Sequence, residues 1–129
     1  MKILNIEETK FKYKDTTFEG FIITLKDGVK IKVGIDNEGQ CCEQWGYVTS
    51  QDDLEYFVGA EYLDGRVTNK ALETIDLSHL DLYEGSCLFF TVFTSKGDFQ
   101  LVCYNEHNGY YSHESVVVVN ETVVHEQYL

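Results

Sequence analysis

The stretch FEGFIITLKDGVKIKVGID, residues 18–36, constrains this chain more than any other. Phe21, Ile23 and Leu25 alternate with Ile22 and Thr24, and beyond Asp27-Gly28 the residues Val29, Ile31 and Val33 alternate with lysines and a glycine. Successive side chains of a strand point to opposite faces, so each arm presents one apolar face. Asp-Gly tolerates the positive φ angles that a tight hairpin demands. The segment predicts a β-hairpin that must cover one face.

The same grammar returns downstream. SCLFFTVFTSKGDFQLVCYN, residues 86–105, predicts a second hairpin with Lys96-Gly97 at its turn and Phe90, Val92, Phe99, Leu101 and Cys103 inward. Within it, Leu88–Phe93 is apolar enough to be buried on both faces. SVVVVN, residues 115–120, predicts a strand covered on both sides or completed by a partner chain. Lys2–Ile6 and Phe11–Lys14 add shorter strands. Helical signals are sparse: Ser50 and Asp52 suit a cap, Leu54, Phe57 and Val58 have helical spacing, and Gly59 stops the pattern. A short helix near residues 51–58 follows, then a long irregular connection from about 64 to 85. The fold class is mainly β (α+β), an antiparallel sheet or sheets built from hairpins. With no proline and no low-complexity linker, residues 1–129 form a single domain.

Charge narrows the partners. The net charge is −12, and it is unevenly placed. Residues 1–32 hold seven lysines against five acids, whereas residues 33–129 hold only Arg66, Lys70 and Lys96 against seventeen acids. Duplex nucleic acid is therefore excluded as a ligand, because affinity for it comes from cations that neutralise phosphates. The acidic face either keeps the chain soluble, meets a basic partner surface or mimics nucleic acid. No run approaches the roughly 18 apolar residues of a spanning helix, and MKILNIEETKFKYKD carries no signal-peptide core. The expectation is a cytoplasmic protein with reduced thiols and no membrane contact.

CCEQWGY, residues 41–47, gathers adjacent cysteines, an acid and the only tryptophan. Neighbouring side chains on a strand diverge, so Cys41 and Cys42 do not readily share a zinc ion, and the nearest further ligands are Cys103 and His107. Cysteines in such a wall also act as small apolar side chains, and that reading makes them structural, with no metal and no cofactor. Cys87, Ser112 and Ser115 could pair with His107 or His113, but no recognisable nucleophile frame surrounds them, and no phosphate loop is present. The expectation is a protein that is not an enzyme.

HNGYYSHE, residues 107–114, places Tyr110 and Tyr111 directly after the turn signal Asn108-Gly109. Tyrosine and histidine on a turn offer flat amphipathic area, suited to stacking a base or anchoring a partner, or to covering the core at a hairpin tip. Glu43, Gln44, Trp45 and Tyr47 offer the same chemistry.

Together these segments resemble a family. Cys41-Cys42-Glu43 after a hairpin, Asp53–Gly59, Phe93–Gly97, Cys103–Glu106 and Asn108-Gly109-Tyr110-Tyr111-Ser112 recur in order and spacing. The chain resembles small proteins of unknown function encoded by tailed bacteriophages and prophages, over roughly residues 20–118. It departs from them at Asn37–Gln40 and at Gln44-Trp45-Gly46. The resemblance implies a phage or mobile-element origin and a setting in the host cytosol, and it implies no catalytic activity.

The functional expectation is a non-enzymatic protein that counters host antiviral defence by sequestering a small nucleotide-type signal. Its candidate ligand-binding residues are Glu43, Gln44, Trp45, Tyr47, Arg66, His107, Asn108, Tyr110 and Tyr111. The alternative is an acidic inhibitor or nucleic-acid mimic that binds a host defence protein. Because Val116–Val119 would invite aggregation at an open edge, a homo-oligomer is expected, with residues 115–129 in the contact.

Overall fold

A computed structural model of the chain describes residues 1–38, 44–72, 87–106 and 112–129. These fold as nine strands: β1 (Ile3–Tyr13), β2 (Thr16–Leu25), β3 (Lys30–Asp36), β4 (Gln44–Thr49), β5 (Tyr62–Thr68), β6 (Cys87–Thr94), β7 (Gly97–Glu106), β8 (Glu114–Val119) and β9 (Thr122–Tyr128). The first sheet has the order β1-β2-β3-β8-β9, the second β4-β7-β6-β5, and every pairing is antiparallel. The fold is mainly β.

Alternation explains the layering. Phe21, Ile23 and Leu25 on β2 and Ile31, Val33 and Ile35 on β3 share one buried core with Leu88, Phe90 and Val92 on β6 and Phe99, Leu101 and Cys103 on β7. The inward residues read from the two hairpins are thus the ones that meet across the sandwich. Full burial of an apolar side chain of this size stabilises by about 1.5–3 kcal/mol.

The turns differ in detail from the pattern-based reading. β1 runs unbroken through Glu7-Glu8-Thr9-Lys10, where two separate strands were expected, and it closes on β2 through Lys14-Asp15, both at positive φ (50° and 66°). Gly28 does take positive φ (90°), but inside a longer loop in which Leu25 N–H donates to Val29. The second hairpin turns at Ser95-Lys96, one residue earlier than expected, because Thr94 pairs directly with Gly97.

Two larger corrections concern the middle and the end of the chain. Tyr62–Thr68 is a strand, whereas an irregular connection was expected from about residue 64; residues 73–86 lie outside the described residues. The helical signal near residues 51–58 is realised as a single 3₁₀ turn, Leu54–Phe57, capped by Asp53, whose carboxylate accepts Glu55 N–H at 3.1 Å. The valine run forms β8, flanked by β3 and β9 of the same chain, with Val116, Val117 and Val118 buried. Its coverage therefore asks for no second copy, which removes the argument that placed residues 115–129 in a contact between chains.

A smaller apolar cluster sits on the outer face of the first sheet. The Phe11 and Phe18 rings stack at 5.6 Å beside Val116 and Val118. They fit because Gly34 lies under Phe11: a Cβ there would come within 2.9 Å of the ring.

Candidate functional site

The motif-bearing segments meet at one end of the sandwich. β4 begins at Gln44 and β7 ends at Glu106, and these two residues are register partners. Glu43, His107, Asn108, Tyr110 and Tyr111, with Cys41 and Cys42, lie outside the described residues, as does the Gln44 side chain. What is described there is a buried polar knot. Asp36, at the end of β3, accepts His113 Nδ1–H at 2.8 Å, Glu114 N–H at 2.7 Å and Glu38 N–H at 3.2 Å. A carboxylate only accepts, so Nδ1 carries the imidazole proton. Trp45 packs on the His113 ring at 5.1 Å, and Asn105 Nδ2–H donates to the Leu129 carbonyl. His113 and Leu129 exchange two backbone bonds at 3.2 and 2.8 Å. His113 is 1% exposed, so this knot holds the sheets together rather than presenting an imidazole to solvent.

Tyr47, two residues beyond Trp45, points to a different neighbourhood. Its ring meets Phe21 edge-on at 5.4 Å and its hydroxyl donates to Glu8 at 3.2 Å. Burial, then the Glu8 charge and hydrogen bond, push its pKa up to about 12. Glu8 borders a groove of about 260 Å³ with an apolar floor of Ile6, Phe21 and Leu54 and the further acids Asp52, Asp53 and Glu55. Among the described residues, no lysine or arginine lines it.

Arg66 sits on β5, across the second sheet from Trp45 and Tyr47, so the structure does not bring these three together. Its guanidinium lies over the Phe93 ring at 5.2 Å and pairs with Asp64 at 2.5 Å, an ion pair that holds the Asp64 carboxyl below the usual range. Phe93 in turn lines a groove of about 270 Å³ with Thr68, Asn69, Lys70, Leu72, Thr91, Asp98 and Gln100. Of the three cations beyond residue 33, Lys70 therefore lines this depression and Arg66 lies over Phe93, one of its lining rings. The third, Lys96, is held at the carbonyl of Tyr56.

Gln100 builds that groove. It is fully buried, and its amide donates to Thr91 Oγ1 at 3.0 Å, Lys70 O at 3.1 Å and Thr68 Oγ1 at 3.4 Å, while its oxygen accepts Leu72 N–H at 3.1 Å. On the backbone, Gln100 N–H donates to Ser50 Oγ at 2.8 Å and its carbonyl accepts Ser50 N–H at 3.0 Å. The wall formed by Asn69–Leu72 is thus fastened to the sheet by one side chain. A buried amide with every partner supplied fixes local geometry well, since any misplacement leaves a desolvated group unpaired.

The described thiols are poor nucleophiles. Burial pushes Cys87 up to about 11 and Cys103 up to about 12, so both stay protonated at neutral pH. Among the described residues no three His, Cys, Asp or Glu side chains gather as a metal site.

The family described as Domain of unknown function (DUF7448) matches residues 2–117. The chain belongs to that family. The DUF7448 match takes in β1 and β2 from their first residues, whereas the motif resemblance began near residue 20. No curated protein and no solved structure matches the chain. No helix of the described residues is long and apolar enough to cross a membrane.

Lys70, Phe93 and Gln100 were not among the candidate ligand residues drawn from the sequence. Lys70 carried one signal, as one of the few cations in an acidic stretch. Gln100 carried none, because it reads as an ordinary polar residue between Phe99 and Leu101.

Proposed function

We propose that this chain is a non-enzymatic binder of a small nucleotide-type molecule, held in the groove between Phe93, Gln100 and the Asn69–Leu72 segment. The observation that carries the reading is Lys70 in the lining of an aromatic-floored groove, with Arg66 over its Phe93 ring, in a chain of net charge −12. Phe93, Leu72 and the threonine methyl groups offer a flat apolar surface for a base. Arg66 and Lys70 offer donors for a phosphate at the rim, the guanidinium as a planar fork and the ammonium as a point charge. A volume of about 270 Å³ suits a body the size of one nucleoside. Asp98 adds an acceptor for a base amine or a ribose hydroxyl.

The resemblance to tailed-phage proteins extends the proposal: a phage-encoded binder of this kind would deplete a nucleotide signal of host defence in the cytosol, by holding it rather than cleaving it. Among the described residues, the protonated thiols of half-buried Cys87 and buried Cys103 and the buried His113 support a role without catalysis. Mass spectrometry of small molecules released from the purified chain tests the proposal. A stoichiometric nucleotide supports it, and an extract that is empty after expression in cells making such signals counts against it.

A second reading has its own observation, the acidic groove of Glu8, Asp52, Asp53 and Glu55, with no cation among its described lining residues. Such a surface would meet a basic host protein. A basic host factor that co-purifies with the chain, and is lost when Asp52 and Asp53 become asparagine, would favour it.

A further inference from the structure

Among the described residues, the first sheet ends on one side at β1, an eleven-residue strand that pairs only with β2 along Asn5–Tyr13. The segment before β5 clasps only the beginning of β1, through Ile3 N–H to Ala60, Gly59 N–H to Ile3 and Tyr62 N–H to Met1. Among the described residues, nothing pairs with the rest of that edge, a row of backbone donors and acceptors. Its side chains are exposed and ordered by sign: Glu7 and Glu8 come first, then Lys10 and Lys12. Among the described residues, no ion pair within the chain engages Lys10 or Lys12.

We propose that this edge is a self-recognition surface, and that two copies of the chain join antiparallel through β1. The order of the charges is the argument. A two-fold axis perpendicular to the sheet keeps each side chain on its own face and pairs residues symmetrically about the axis. With the axis at Thr9, Glu8 of each copy stands opposite Lys10 of the other, with Lys12 on one diagonal and the second Glu8 on the other. Directly opposed residues lie about 4.5–5.5 Å apart at Cβ, close enough for opposite charges to stabilise and like charges to destabilise the pair. Lysine on an edge strand ordinarily discourages strand addition; here Lys10 faces a glutamate and Lys12 reaches the same one diagonally, so the device selects a partner instead. The opposite edge, β9, carries Glu126, is preceded by Glu121, and has no lysine or arginine along it. A second copy joined β9 to β9 would find no lysine or arginine on that edge to meet Glu126. The product is a single ten-stranded sheet across the dimer, with the groove beside Phe93 and Gln100 present twice.

Two charge-reversed chains test this: one carrying Glu7→Lys and Glu8→Lys, the other Lys10→Glu and Lys12→Glu. Each is first shown to be folded by circular dichroism, then examined by analytical ultracentrifugation over a concentration series. The intact chain should sediment as a dimer at micromolar concentration and dissociate as salt is raised. Each reversed chain alone should dimerise at least about tenfold more weakly, and an equimolar mixture of the two should recover a heterodimer. An intact chain that remains monomeric overturns the proposal. So does a dimer that both reversals leave unchanged, since its contact would then lie elsewhere.

Discussion

Gln100 accepts the backbone N–H of Leu72 at 3.1 Å, and this bond, with the donation to Lys70 O, ties the groove wall to the second sheet. Gln100→Ala strips partners from Leu72 N–H, Thr68, Thr91 and the Lys70 carbonyl together. A buried group left without its hydrogen bond costs about 1–3 kcal/mol, and several are affected here, so a loss of about 2–4 kcal/mol is expected in denaturant unfolding. Because the wall is released, ligand affinity should fall too. Unchanged stability would mean that the Gln100 side chain does not organise this wall.

Glu114 and Glu126 set a pH dependence. Burial, then the shared hydrogen bond and the charge of Glu126, raise the Glu114 pKa above the ordinary glutamate range. A carboxyl with a raised folded-state value holds its proton more tightly folded than unfolded. Its contribution therefore favours folding as pH drops through that value and opposes it once both states are ionised. Glu126→Gln keeps a hydrogen-bonding group but removes the charge. Its melting temperature should exceed that of the parent near pH 7, and the gap should close as pH falls into the carboxylate range. Salt should narrow the gap as well, since the pair is partly exposed. Melting curves at several pH values check this, and a gap that widens in acid would contradict it.

The buried thiols make a further prediction. In a chain carrying Cys41→Ser and Cys42→Ser, only Cys87 and Cys103 remain of the four cysteines. With its pKa lifted from 9.0 to about 11, Cys87 has about 100-fold less thiolate at neutral pH than an unperturbed cysteine. Alkylation at Cys87 should slow accordingly, and Cys103 should react only on unfolding. Rapid labelling of both in the folded protein would show that neither sits in the wall described for it.

How much of this was legible in the sequence depended on whether one face of a strand was uniformly buried. Val29, Ile31 and Val33 alternate with polar residues because β3 has a dry side and a polar side, so that hairpin could be read directly. β5 could not, since Tyr62-Leu63-Asp64-Gly65 lies on an edge, carries a register shift and exposes Leu63. β1 was read as two pieces because Glu7 to Lys10 look like a linker until their cross-strand partners on β2 are known. The 3₁₀ turn was read as a short helix because Leu54 and Phe57 suit either geometry at that length. The aromatic motifs drew attention to the loop end of the sandwich, where Trp45 turns out to pack on buried His113. The groove near Arg66 is assembled from residues about thirty positions apart, and nothing local announces it. The charge bookkeeping alone hinted at it, through Arg66 and Lys70.

Calorimetric titration with a panel of nucleoside monophosphates, run on the intact chain and on a chain carrying Arg66→Gln and Lys70→Gln, tests the central claim most directly. These changes keep side-chain bulk and polarity while removing both rim charges. The account predicts saturable binding of at least one nucleotide by the intact chain, weakened at least about tenfold, or about 1.4 kcal/mol, in the variant. Equal affinity in both chains, or no heat from any nucleotide with the intact chain, would contradict it.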